Sequence, residues 1–126
     1  MTQKRLIYPE KVRRVPEQFS WIDHRLVRDR YLENLSHAAA ALYLMLVTVG
    51  DRQGLSYYSD RAVGDLLTMD LPLLAKSRGQ LIQGGLLAYR KPLYQVLSLE
   101  PVRPVNKPSG DLVPIAAILQ QMAGGR

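Results

Sequence analysis

Paired cations set beside tyrosines are the chemistry this chain offers most plainly. Arg90 and Lys91 are adjacent, with Tyr89 before them and Tyr94 just after, and Arg13 and Arg14 form a second pair near the start. Guanidinium and ammonium groups contact phosphates, and tyrosine hydroxyls add hydrogen bonds. The composition points the same way. Lys and Arg number 17 against 11 Asp and Glu, a net charge of +6 on 126 residues. Such a balance favours a polyanionic partner, nucleic acid before a membrane surface.

Other chemistries are poorly served. The absence of cysteine excludes disulfides, thiolate metal sites and cysteine nucleophiles. With His24 and His37 the sole imidazoles, a histidine-rich metal site is excluded too. Asp23 and His24 are a lone pair with no nucleophile placed by a motif, and no Asp/Glu cluster suits Mg²⁺. Gly84–Gly85 closes an expected helix instead of opening one, so it is no phosphate loop. The expectation is a protein without metal or cofactor and not an enzyme. No secretory signal or span-length apolar run is legible, so the expected location is cytoplasmic.

The elements that must carry these residues follow from caps and breakers. Charge is uneven: +3 over residues 1–35, −2 over 36–75, +3 over 76–100 and +2 over 101–126. Residues 1–18, basic and without periodicity, read as a mobile arm. Phe19, Trp21, Ile22, Leu26, Val27, Tyr31, Leu32 and Leu35 are spaced for partial burial, around an extended Phe19–Ile22 and a short helix near Asp23–Arg30. Ser36 caps a strongly apolar helix that Gly50 stops. Its apolar circumference calls for cover on a second side, by Phe19–Leu35 or by a second copy. A short strand-like piece, Leu55–Tyr58, precedes a helix capped by Ser59 and running to about Leu67. Asp70 caps another, with Pro72 in its first turn. Two strand-like runs, Leu86–Tyr89 and Leu93–Leu99, make a hairpin with Arg90, Lys91 and Pro92 at its tip.

Helix, short strand, helix, tight turn, helix and hairpin is a winged-helix order. The stretch SDRAVGDLLTMDLPLLAKSRGQLIQGGLL, residues 59–87, resembles the winged helix-turn-helix pattern without a gap. Val63 and Gly64 stand where that family has an apolar and a small residue, and a bulky group at 64 would push the two helices apart. Leu67 to Asp70 match the turn and cap, Leu74 and Leu81 the core side, and Gly85, Leu86 and Leu87 the lead into the wing. With residues 19–35 and the long apolar helix, the chain is similar to domains of plasmid and phage replication initiators and related mobile-element proteins. The fold expected is therefore mainly α with a small β-hairpin.

The resemblance makes the helix after Asp70 the recognition helix. Lys76 and Gln80 are its residues suited to polar contact, while Leu71 and Leu73 suit a protein interface. Tyr57 and Tyr58, just before a helix N-terminus, sit where winged helices often touch the DNA backbone, and equally suit a core. Arg78 lies near the buried side and is expected to pair with Asp60 or Asp65. The DNA-contact set is thus Lys76, Gln80, Arg90, Lys91, Tyr58, Arg13 and Arg14.

The winged-helix domain is expected over residues 19–100. Residues 101–111 read as a Pro-rich linker, and 112–126 as a short amphipathic tail helix with Ile115, Ile118, Leu119 and Met122 on one stripe. That stripe favours docking back on this domain, across a dimer or into a partner's groove, with the dimer or partner preferred. The function expected is duplex DNA binding as a replication, transcription or mobile-element accessory factor. The alternative is a winged-helix adaptor in a larger nucleic-acid-processing complex.

Overall fold

Residues 3–99 are described by the computed structural model. The expected linker and tail helix, with Ile115, Ile118, Leu119 and Met122, lie outside the described residues. Residues 3–22 are exposed throughout, with one 3₁₀ turn at Pro9–Lys11. Then come α1 (Arg25–Arg28), a 3₁₀ turn (Tyr31–Asn34), α2 (His37–Val49), β1 (Leu55–Tyr57), α3 (Asp60–Leu67), α4 (Leu71–Gln83), β2 (Leu87–Arg90) and β3 (Leu93–Val96).

The three longer helices begin at the residues expected to cap them. Ser36 Oγ accepts from the Ala39 amide at 3.1 Å, Ser59 Oγ from Ala62 at 3.0 Å, and Asp70 Oδ1 from Leu73 at 2.9 Å. Each cap answers one of the unpaired N–H groups of a helix start, worth about 1 kcal/mol. Between α3 and α4 the chain turns at Thr68, in the left-handed region with φ 58°. The Met69 amide then donates to Gly64 O at 3.0 Å. A Cβ on Gly64 would lie 2.8 Å from Met69 O, so glycine is what permits this close approach.

The sheet is larger than a hairpin. Its order is β1-β3-β2, antiparallel throughout, with Leu55 opposite Gln95, Leu87 opposite Val96 and Arg90 opposite Leu93. Regular pairing of β3 stops at Val96, short of the expected Leu99. The core sits between the α2–α4 pair and this sheet: Leu42, Leu46, Val63, Leu74, Leu81, Leu86, Leu87 and Tyr94 are all essentially fully buried. Each such side chain contributes about 1.5–3 kcal/mol of transfer free energy.

Residues 19–35 depart from expectation. Leu26 is buried and Tyr31 and Leu35 are partly so, but Phe19, Trp21, Ile22 and Val27 are exposed. Val27 is outward because α1 has four residues, one turn, and a single turn presents one side chain inward, while Phe19, Trp21 and Ile22 precede it outside any helix or strand. Its end is set by Arg30, left-handed at φ 65°. The outer side of α2 therefore stays open at Leu44, 54% exposed. Among the described residues, no helix is long and apolar enough to cross a membrane.

Candidate nucleic-acid interface

Arg90 closes β2, and Lys91 and Pro92 make the turn into β3, with both cations exposed. This tip is fastened to the start of α3. The Tyr58 amide donates to Pro92 O at 3.2 Å, one residue before the Ser59 cap. Tyr58 thus acts through its backbone, its side chain half-buried against the core, while Tyr57 is the exposed member of the pair. Arg61, two residues past the cap, is exposed and only loosely paired with Asp65 at 3.9 Å. The sequence reading passed over Arg61; its place in the first turn of a capped helix beside the hairpin is the signal that would have found it.

Behind the tip lies a polar lock. Arg78 Nη1 donates to Asp60 Oδ1 at 2.9 Å and to the Tyr94 hydroxyl at 2.8 Å, and the guanidinium lies 4.2 Å from the Tyr89 ring centroid. Asp60 is therefore the partner, not Asp65. Burial alone would weaken the Arg78 cation, but the bonds to Asp60 and Tyr94 outweigh it and hold the charge. Burial pushes the Tyr94 phenol above its ordinary value. This corrects the expectation that Tyr94 lends its hydroxyl to a phosphate at the hairpin end. Tyr94 is fully buried, and its alternation in β3 turns it inward to Arg78.

On α4 the outward side holds Pro72, Lys76 and Gly79, opposite the buried Leu74, Ser77 and Leu81. Lys76 is exposed, as are Leu71 (61%) and Leu73 (39%). Gln80 is half-buried, and its Oε1 accepts from the Ser36 amide at 2.9 Å, so it satisfies the start of α2. Arg13 and Arg14 are exposed on the arm. The arm leads into the segment from Phe19, which meets the rest of the domain where Ser20 Oγ donates to Thr48 O at 3.2 Å, at the end of α2. That is the Gly54–Val96 end of the sheet, whereas the cationic tip is the Leu93 end. The structure thus gathers Arg90, Lys91, Tyr58 and Arg61 at one end, sets Lys76 on the open side of α4, and fastens the arm elsewhere.

The chain matches no family model, no curated protein and no solved structure. Among the described residues the architecture is four helices with a small three-stranded antiparallel sheet, a layout consistent with a winged helix.

Proposed function

We propose that this chain binds duplex DNA as a winged helix, with α4 as the recognition helix and the β2–β3 hairpin as the wing. The observation that carries the reading is the exposed Arg90–Lys91 tip, fixed by the Tyr58–Pro92 bond beside the start of α3. Lys76 and Arg61 extend the cationic surface, with Arg13 and Arg14 of the arm as further phosphate contacts. The outward face of α4 offers little bidentate base readout, so phosphate contacts dominate the affinity. A replication, transcription or mobile-element accessory factor needs this kind of binding.

The test is duplex binding by the full chain, measured by anisotropy across a salt series. The slope of log K against log salt is expected at about −3 to −5, from about 0.9 per phosphate contact. Binding undetectable at ~50 mM salt sinks the reading. One observation favours an adaptor as the second reading: Leu71 and Leu73 leave an apolar patch on the first turn of α4. In that case Leu71→Asp abolishes partner recruitment and the salt slope is flat.

A further inference from the structure

A large concavity of the described residues lies away from the cationic tip. It is a groove of about 1110 Å³ between the arm and the α2–β1 end of the domain. Phe19 and Trp21 form one wall, Tyr43 and Val47 of α2 the other, and Leu97 and Leu99 its margin. Small-molecule clefts run to roughly 300–1,000 Å³. An open trough above that range, walled by large apolar side chains, suits a polypeptide segment better. Phe19 and Trp21 are 63% and 73% exposed, so their apolar surface is unpartnered.

Where the described chain ends decides the occupant. Leu99 is buried in the wall of this same groove, and its carbonyl accepts from the Tyr31 hydroxyl at 3.0 Å. Residues 100–126 therefore depart from the groove itself. They include Ile115, Ile118, Leu119 and Met122, at the i, i+3, i+4, i+7 spacing of one helical face. Residues 100–111 span at most ~40 Å when extended, ample to leave and fold back on a domain of radius of gyration ~13 Å. A tether of that length holds its end near the groove at roughly millimolar effective concentration, far above any second copy at working dilution.

We propose that residues 112–122 of the same chain seat their apolar face in this groove, against Phe19 and Trp21. The inference is independent of DNA binding.

Trp21 is the sole tryptophan and reports the groove directly. In the full chain its emission is expected to be blue-shifted. Acrylamide quenching of its 73% exposed ring should fall about threefold if docking covers two-thirds of that surface. Both effects should persist on dilution and disappear in the full-length variant Ile118→Asp/Leu119→Asp. NOEs from the Trp21 indole to the Ile118 and Leu119 methyls, in the unmodified chain, give an independent measurement that needs no variant. Trp21 as open to quencher in the full chain as in the variant, or absence of those NOEs, overturns the proposal. Shielding that is lost on dilution assigns the groove to a second copy's segment and overturns it equally.

Discussion

Arg78 Nη1 lies 2.8 Å from the Tyr94 hydroxyl and donates to it, joining the middle of α4 to the central strand of the sheet. The same guanidinium holds Asp60, the first residue of α3, and covers the face of Tyr89. One side chain thus sets the angle between both helices and the hairpin. Lysine would keep the charge but lacks the planar guanidinium that stacks on the Tyr89 ring.

Replacing Arg78 with Met is expected to cost about 2–4 kcal/mol, because Asp60 and Tyr94 each lose a charge-assisted partner. Tyr94→Phe should cost about 1.5–3 kcal/mol. Urea unfolding of both variants and the double variant checks this. Losses that simply add would show that the two residues are not coupled.

The two helical glycines are expected to respond in opposite directions. Gly64→Ala puts a Cβ 2.8 Å from Met69 O, a backbone atom that cannot swing away. The expected loss is about 1–3 kcal/mol. Gly79 has nothing within 4 Å of a built Cβ. Gly79→Ala should therefore gain about 0.5–1 kcal/mol through helix propensity. Thermal unfolding of the pair reads the sign directly.

Acid should weaken the fold through Asp23. Hydrogen bonds from the Arg25 side chain and amide hold its carboxyl at about 2, against an ordinary 3.8. The folded value is the lower one, so this stabilisation is complete above 3.8 and is lost as pH falls through about 2. An NMR titration of the Asp23 carboxyl carbon should give that low midpoint. Asp23→Asn should remove its share of the acid loss in thermal stability, and a midpoint at the ordinary value would show the pair unformed in solution.

Phosphate contact at the hairpin tip and helix support from α4 should separate cleanly. Arg90→Ala/Lys91→Ala should weaken all duplexes alike and flatten the salt slope by about 2, with unfolding unchanged. Gln80→Ala should do the reverse. It strips the Ser36 amide of its acceptor and costs about 0.5–1.5 kcal/mol, while leaving sequence preference alone. A shifted preference would return Gln80 to the interface.

The legible parts of this chain were its local ones. Ser36, Ser59 and Asp70 are caps because a cap bonds within three residues, a distance the sequence displays. Arg78 was narrowed to Asp60 or Asp65 because helical spacing put all three near one seam. The Gln80–Ser36 bond is not legible because the two are 44 positions apart. The inward turn of Tyr94 is not legible from its nearness to the tip in sequence, because it depends on β3 being the central strand with alternate residues facing the core. Residues 19–35 look like core by composition alone. Without a clean period to orient them, apolar content says nothing about which side chains turn inward.

The β1-β3-β2 order also bears on how this domain is made. Neither β1 nor β2 hydrogen-bonds the other, and β3 pairs both. Leu55 must therefore wait for Gln95, although the capped helices between them close on neighbours near in sequence. Contacts of such separation are the slow part of folding. On a ribosome, the first strand leaves the exit tunnel with its edges unmet, and the strand that satisfies it is the last regular element of the described domain to emerge. A chain interrupted between Gln83 and Leu93 would carry its helices but no sheet, and with no Tyr94 its Arg78 would have no strand to hold.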